Sequence, residues 1–178
     1  VLFRSLLKVF CEKHKIQLEM IPALKIRDQV VSTSAIRTSL AEADLKFVKA
    51  ALGRSYYLKG IVIRGDARGK TLGFPTANIK PEVDFYPRTG VYACRVTLAG
   101  RVHNAVTNIG LNRTFVEGDM HPIKVESHIL DFNDEIYGRE IKIELLEYLR
   151  EEKKFSGIDE LTQQIAEDIK KARGLFSQ

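Results

Sequence analysis

The segment GVYACRVTLAGRVHNAVTN at residues 90–108 contains two runs with the residue pattern of β-strands, separated by a turn. Gly90–Leu98 and Arg101–Asn108 are rich in residues that favour strands and follow a period of two. The Ala99-Gly100 pair between them fits a tight two-residue hairpin. The centre of the chain is therefore predicted to be an antiparallel β structure.

Similar runs lie on both sides of this hairpin. Tyr57–Arg64 precedes it, and Lys124–Phe132 and Arg139–Leu149 follow it, joined by Asn133-Asp134 and Gly138. About five or six short strands separated by turns are typical of a closed antiparallel barrel or a sandwich. We expect a mainly β fold with flanking helices (α+β), built on an antiparallel Greek-key-like β-barrel of about six strands.

A C-terminal helix should follow the barrel. Ser156 begins a pattern resembling a capping box, with Asp159 three residues later. Leu161, Ile165 and Ile169 lie four residues apart and form one apolar face. We expect this face to lie against the barrel.

The N-terminal residues have a mainly helical pattern. Apolar residues recur at spacings of three and four from Leu2 to Phe10, which predicts an amphipathic helix. Gln17–Ile21 is predicted to be a short strand that ends at Pro22. Ser32 could cap a second helix, and a third should cover Asp44–Leu52.

The pattern changes near Gly53, which suits the end of the third helix. We therefore predict two domains, residues 1–55 and residues 56–178.

The net charge of +5 and pI of about 9.2 are compatible with nucleic acid or with small anionic ligands. The basic residues are scattered, and no run of 18 apolar residues predicts a membrane span. Cys11 and Cys94 lack metal-ligand spacing and fit a reducing cytoplasm.

A glycine-rich segment, RGDARGKTLGFPTANI at residues 64–79, superficially resembles a Walker A motif. Three residues, and not the required four, separate Gly65 from Gly69-Lys70-Thr71. Pro75 also disfavours the helix that should follow. The Walker interpretation is therefore rejected.

The same segment can bind an anion in another way. Glycines allow backbone N–H groups to approach a phosphate closely, and this segment has Gly65, Gly69 and Gly73. Lys70 adds positive charge, and Thr76 and Asn78 point to one side if the chain is extended. A hydroxyl and an amide beside a phosphate could hold Mg²⁺ and its nucleotide. The alternative is a flexible, solvated turn.

Gly-Phe-Pro-Thr-Ala-Asn at residues 73–78 resembles the P-T-A-N signature of riboflavin kinases. Further landmarks of that family follow in order: Gly90-Val91-Tyr92, Thr107-Asn108-Ile109-Gly110, Val125-Glu126-Ser127-His128, Asp131-Phe132, Tyr137-Gly138, Leu149-Arg150 and Phe155. The resemblance covers residues 56–178 and implies an enzyme that phosphorylates riboflavin to FMN with ATP and Mg²⁺.

The resemblance also implies roles for individual residues. Thr76 and Asn78 would bind the ATP phosphates and magnesium, with Thr76 as the metal ligand. The surrounding phosphate-binding residues would be Gly65, Gly69, Lys70, Gly73 and Pro75. Glu126 would be the general base that accepts a proton from the ribityl hydroxyl. The flavin-binding residues would be Tyr137, Arg150 and Phe155.

Some positions stay open from the residues alone. Glu126 could equally be an exposed strand glutamate paired with a lysine. His128 lies on the same strand face as Glu126, where a surface or structural role is the more common one. Arg113 stands where the family commonly has proline, which leaves the conformation of that loop open.

A second resemblance lies in Val31-Ser32-Thr33-Ser34-Ala35-Ile36-Arg37, which is similar to the I-S-S-T-x-I-R motif of bifunctional riboflavin kinase/FAD synthetases. It implies that Ser32, Thr33, Ser34 and Arg37 bind phosphate at a helix N-terminus, although a plain helix cap is the alternative. The family's H-x-G-H motif is absent. The chain is therefore interpreted as a C-terminal fragment, in which a partial α/β nucleotidyltransferase segment precedes the kinase. The parent protein would also convert FMN to FAD, and the fragment would not.

A non-catalytic flavin-binding or nucleic-acid-binding regulatory barrel is the competing hypothesis, and a flavin-regulated transcription factor is a third. A single-strand binder needs aromatic platforms among basic residues on one sheet face. This chain has no Trp, and its aromatic residues are mostly isolated. We therefore expect riboflavin and ATP as ligands, and neither a nucleic acid nor a membrane as a partner.

Overall fold

The computed structural model describes residues 2–65, 68–83, 85–111 and 123–177. The chain forms two compact units, Val1–Val31 and Ser32–Gln178. The proposed domain limits of 1–55 and 56–178 remain a prediction.

The first unit contains helix α1 (Leu2–Lys13) and a small hairpin of β1 (Lys25–Ile26) and β2 (Gln29–Val30). Arg27 and Asp28 form the hairpin turn with positive φ angles of 50° and 61°. The strand predicted at residues 17–21 is wrong, because that segment pairs with no strand in the described structure.

Two short helices open the second unit, α2 (Thr33–Ala41) and α3 (Leu45–Leu52). The Ser32 side chain caps α2, and the Asp44 side chain caps α3 by accepting a bond from the Phe47 amide at 3.0 Å. Gly53 ends α3 in the left-handed conformation, as predicted. Both helices contribute to the barrel's core cluster, to which α2 adds Leu40.

The barrel consists of six antiparallel strands that close in the order β3-β4-β7-β6-β5-β8. Their bounds are β3 Tyr57–Ile63, β4 Ala77–Pro81, β5 Gly90–Leu98, β6 Arg101–Leu111, β7 Ile123–Ile129 and β8 Glu140–Arg150. The turn at Ala99-Gly100 joins β5 to β6, and the chain crosses from β4 to β5 without pairing them. The predicted six-stranded barrel is confirmed.

Two elements of the glycine-rich segment were not predicted. Arg68–Thr71 forms one helical turn, α4, and the P-T-A-N residues lead directly into strand β4. The strand forms because β4 pairs with β3 on one side and β7 on the other. Tertiary pairing therefore outweighs the prolines at each end of this short segment.

Strand alternation separates the barrel interior from its outer face. The interior is filled by large buried side chains, among them Tyr92, Ile109, Val125, Ile143 and Leu145. Each such aliphatic side chain contributes roughly 1.5–3 kcal/mol through burial. The neighbouring residues on the same strands point outward, and this outer face is where the candidate site lies.

Helix α5 (Ile158–Phe176) covers part of the outer face. Of the three residues of the predicted apolar face, Ile169 packs on Val91 and Val106, together with Ala172, which was not predicted. The capping residue was misidentified: the Ser156 amide and hydroxyl donate to Glu160 and not to Asp159, at 2.9 and 2.8 Å. Within the described ranges, no helix has the length and apolar character needed to cross a bilayer.

Candidate active site

A cavity of about 320 Å³ lies between the outer face of the barrel and helix α5. Its walls come from α4 and the residues after it, from β5, β6 and β7, from residues 150–155, and from α5. Predicted ATP-binding and flavin-binding residues both line it, together with the predicted base: Gly69, Thr76, Glu126, Arg150 and Phe155. The fold therefore brings together residues that are up to 86 positions apart, from Gly69 to Phe155.

The strand register aligns three polar side chains across this face. Asn78 on β4 pairs with Glu126 on β7, which in turn pairs with Asn108 on β6. Directly opposed residues on antiparallel strands point to the same side of a sheet. Asn78 and Glu126 therefore share the outer face, with Thr76 two residues from Asn78.

Asn78 is buried, with 6% of its surface exposed. Its Oδ1 has no hydrogen-bond partner among the described residues. A buried amide oxygen left unpaired costs roughly 1–3 kcal/mol. Such an oxygen can accept a hydrogen bond or a cation, although Asn78 itself is not among the residues that line the cavity.

The glycine-rich segment folds back over Thr76. The Phe74 amide donates to the Gly69 carbonyl at 2.8 Å, which closes the segment after α4. A Cβ on Gly69 would lie 2.4 Å from the Phe74 carbonyl oxygen and 3.1 Å from Thr76 Oγ1, so the backbone at this point has room only for glycine. Gly73 follows α4 with a φ of +82°. Lys70 belongs to α4, and its side chain lies outside the described part of the structure.

Glu126 forms an ion pair with Lys124 at 3.0 Å, and about 30% of each side chain is exposed. Both residues line the cavity. From the sequence, Glu126 was either an exposed strand residue paired with a lysine or a carboxylate of the site. In the structure, Glu126 both pairs with a lysine and lines the cavity.

Arg150 lies at the opposite wall and holds helix α5 to strand β8. Its guanidinium donates to both carboxylate oxygens of Asp168, at 2.7–3.0 Å, and Asp168 is only 2% exposed. The guanidinium carbon also lies 5.8 Å from the ring centre of Phe155. Arg150 therefore shapes this wall through contacts with protein groups.

Tyr137 lies elsewhere, in a second cavity of about 120 Å³. Residues of strands β3, β4 and β7 and of the segment 132–137 form this cavity, and Pro75 lines it as well. Thr76 lines both cavities, so both lie next to that residue. The structure thus separates Tyr137 from Arg150 and Phe155, the residues with which it was grouped.

Several lining residues were not predicted to be part of a site. They are Asn108, Lys124, His128, Glu152 and Asp168. His128 carried a usable signal, since it alternates with Glu126 on one strand face. Lys124 alternates with Glu126 in the same way, but a lysine on a strand does not by itself indicate a binding site.

The residues of the predicted N-terminal phosphate site lie at the start of helix α2. The Ser32 hydroxyl accepts a hydrogen bond from the Ala35 amide at 3.1 Å, and Thr33 and Ser34 form the first turn of α2. The Arg37 guanidinium stacks on Phe85 at 5.8 Å from the ring centre. These residues lie outside both cavities. Arg113 and its loop lie outside the described residues.

Comparison with known proteins gives a consistent result. A family profile described as riboflavin kinase matches residues 52–176. A Bacillus subtilis protein named bifunctional riboflavin kinase/FMN adenylyltransferase is 45% identical over 89% of this chain and 50% of its own length. The Listeria monocytogenes protein of the same name is 40% identical over 83% of this chain and 46% of its own length.

A crystal structure from Streptococcus pneumoniae, described as a macrolide-efflux protein, covers 93% of this chain with a TM-score of 0.84 and 28% identity. The alignment covers 54% of that chain. This chain spans about half the length of the curated relatives that it matches. The family profile covers most of the chain, including the whole barrel and both cavities. The chain therefore belongs to the riboflavin kinase family, the enzymes that phosphorylate riboflavin to FMN.

Proposed function

We propose that this chain transfers the γ-phosphoryl group of ATP to the primary hydroxyl of the ribityl chain, with riboflavin in the first cavity and the nucleotide in the second. The observation that carries the proposal is the position of Thr76, which lines both cavities, while Glu126 lines only the first. The phosphate chain would cross at Thr76 and present its γ-phosphorus beside Glu126.

The position of the acceptor follows from the position of the base. A general base must come within hydrogen-bond reach of the hydroxyl that it deprotonates. Because Glu126 lines the first cavity, the ribityl hydroxyl should lie there. This cavity is also the larger of these two, and Phe155, Leu161 and Ile165 give it an apolar wall suited to a flavin ring.

The second cavity suits a purine ring. Phe132, Ile136 and Tyr137 contribute its apolar and aromatic surface, and polar backbone and side chains from 133–135 lie among them. Tyr137, grouped with the flavin-binding residues from the sequence, is therefore assigned here to the nucleotide.

The residues present fit a magnesium ion. Mg²⁺ prefers oxygen ligands and is bound through few protein groups together with substrate phosphates. The Thr76 hydroxyl and the unpartnered Asn78 Oδ1 offer such oxygens on one face. When bound, the ion would offset the negative charge on the β- and γ-phosphates.

The chemical step needs few protein groups. As the ribityl oxygen attacks the γ-phosphorus, its proton passes to the Glu126 carboxylate. A new P–O bond forms to the ribityl oxygen, the bond between the γ-phosphorus and the bridging oxygen breaks, and ADP leaves with that electron pair. Glu126 then releases its proton to water. Positioning and charge stabilisation account for most of the rate in such transfers.

Replacement of Glu126 by glutamine tests the proposal. The substitution keeps the shape and removes the base, so kcat for FMN formation should fall by roughly 10²–10⁴-fold. Glu144→Gln is a matched control, because Glu144 also lies on a barrel strand and pairs with a lysine two residues away, at 3.1 Å. FMN would be measured by chromatography after incubation with riboflavin, ATP and Mg²⁺.

The possible results separate the hypotheses. Unchanged turnover in Glu126→Gln would remove Glu126 as the base. A folded wild-type chain that binds riboflavin without forming FMN would favour the non-catalytic flavin-binding barrel. FMN without FAD is the expected product.

For the whole protein, we propose that an FMN adenylyltransferase part precedes this chain, in line with the names of the two relatives. A cytoplasmic location is proposed from the two cysteines, both of which are free thiols.

A further inference from the structure

His128 contacts the segment directly before Thr76. Its Nδ1 lies 2.8 Å from the Pro75 carbonyl oxygen, and its ring meets the Phe74 ring edge-on, with centres 5.8 Å apart and planes at 84°. A carbonyl oxygen has no proton to give, so Nδ1 must carry the hydrogen of this bond. Two contacts therefore fix the imidazole against residues 74–75.

The backbone pairing between β4 and β7 ends next to this hydrogen bond, which links the two segments one step further. Ala77 and Ser127 are the terminal pair between β4 and β7 on this side. Pro75 has no N–H, so it cannot donate a ladder bond to β7. The His128 side chain instead supplies a link from β7 to the backbone of Pro75.

We infer that His128 is a positioning residue that fixes Thr76 relative to Glu126. This inference rests on the proposed function, in which Thr76 binds the phosphates and Glu126 binds the attacking hydroxyl. Thr76 is the next residue after Pro75, and Glu126 lies two residues before His128 on the same strand face. The Nδ1 bond thus connects the two halves of the reaction centre across β4 and β7.

A chemical role for His128 would use its other nitrogen. With the hydrogen on Nδ1, Nε2 of the neutral ring is an acceptor and could take a proton from a substrate. His128 lines the cavity, so its position permits this alternative. The two roles therefore depend on different atoms of one ring.

Substitution of His128 by asparagine or by glutamine distinguishes the role of Nδ1 from that of Nε2. The amide nitrogen of asparagine is as many bonds from Cα as Nδ1, while that of glutamine matches Nε2. His128→Asn therefore keeps a donor for the Pro75 carbonyl and removes Nε2. His128→Gln moves the donor away from that carbonyl, and His128→Ala removes both nitrogens.

The experiment compares the three variants with wild type in steady-state kinetics for ATP and in calorimetric titrations with Mg·ADP. In His128→Ala and His128→Gln, kcat/KM for ATP should fall by about 10–100-fold, as expected for displaced catalytic groups. His128→Asn should stay within about threefold of wild type, since its hydrogen bond is retained. Mg·ADP binding should weaken in His128→Ala and His128→Gln but not in His128→Asn, because only the first two lose the donor that holds the segment before Thr76.

Three results would overturn the inference: full activity in His128→Ala, equal losses in His128→Asn and His128→Ala, or retained activity in His128→Gln alone. The last would identify Nε2 as the important atom. If His128→Ala does not fold, the comparison of asparagine with glutamine still decides. A folded wild-type chain without kinase activity would instead refute the proposed function, whereas an active wild type with unaffected variants would refute only the role of His128.

Discussion

Gly65 lies directly against the side-chain amide of Asn78, and a Cβ at position 65 would overlap that amide. Asn78 is buried and cannot move without disturbing β4, which pairs on both sides. Gly65→Ala should therefore displace either the amide or the glycine-rich segment. Because a small displacement of a binding group can cost about 10²-fold, we expect kcat/KM for ATP to fall by roughly 10–100-fold in steady-state kinetics.

Gly174→Ala is the control for this substitution. Gly174 lies in α5, and a Cβ there would meet no atom within 4 Å. Its activity should be unchanged and its stability slightly higher, since alanine favours helices over glycine by up to about 1 kcal/mol. Wild-type kinetics in Gly65→Ala would contradict the proposed role of the Asn78 amide.

Removal of the Thr76 hydroxyl should weaken nucleotide binding. Thr76→Val keeps the branched shape but lacks the oxygen proposed to contact magnesium and phosphate. A hydrogen bond to a charged group contributes about 1.5–3 kcal/mol, so KM for Mg·ATP should rise at least about tenfold. The magnesium concentration for half-maximal rate should rise as well, as measured by Mg²⁺ titration.

Thr97→Val provides the matched comparison, because Thr97 lies on barrel strand β5 and lines neither cavity. Its kinetic constants should equal those of wild type. A Thr76→Val enzyme with normal ATP and magnesium dependence would exclude Thr76 from the phosphate site.

The Arg150–Asp168 ion pair should contribute strongly to stability. Asp168 is 2% exposed and accepts hydrogen bonds from two guanidinium nitrogens, Nε and Nη2. Removal of one partner of a buried pair leaves the other charge uncompensated and costs about 3–5 kcal/mol. Urea unfolding of Asp168→Ala should show a loss of this size.

Arg173→Ala tests the same geometry at the surface, because Arg173 lies in α5 and donates two hydrogen bonds to the Asp131 carboxylate. Both side chains there are largely exposed, so solvent screens the pair and the loss should be much smaller. Equal losses in the two variants would show that burial does not determine the contribution of Arg150–Asp168.

Cys94 should be unreactive in the folded protein. Its side chain is fully buried among the inward-facing residues of the barrel, and this burial raises the pKa of the thiol from 9.0 to about 12. The thiolate is the reactive form, so a disulfide reagent at pH 8 should label Cys94 only after unfolding. The measurement is the labelling rate in a Cys11→Ser variant with and without urea.

The same shift predicts the direction of a pH effect on stability. The folded state holds the Cys94 proton more tightly than the unfolded state does. Its contribution is therefore fully present below pH 9 and lost as the pH rises toward 12. Rapid labelling of the native protein at pH 8 would contradict both expectations.

Hydropathy and turn residues predicted most of the barrel, since β5 agrees with its predicted bounds of Gly90–Leu98 and the Ala99-Gly100 turn lies where expected. Strand β4 could not be predicted in this way, because it exists through its pairing with β3 and β7. The erroneous strand at 17–21 shows the converse: strand-like residues form no strand without a partner.

For the site, local motifs indicated Thr76, Asn78 and Glu126, and the strand register places them on one face. The position of Tyr137 depended on which side of the barrel the 132–137 segment covers, and no local pattern contains that information. Asp168 was also beyond prediction, because its role depends on the contact of α5 with Arg150.

The proposed base, Glu126, lies on the outer face of the barrel, while large apolar side chains fill most of the barrel interior. Along β7, the side chains alternate: Val125 and Ser127 point into the interior, and Glu126 and His128 line the first cavity. Neighbouring positions on one strand are therefore subject to independent selection. Substitutions that repack the interior away from the second cavity can accumulate during evolution with little effect on the chemistry, and the outer face can acquire new ligand preferences without a loss of the fold.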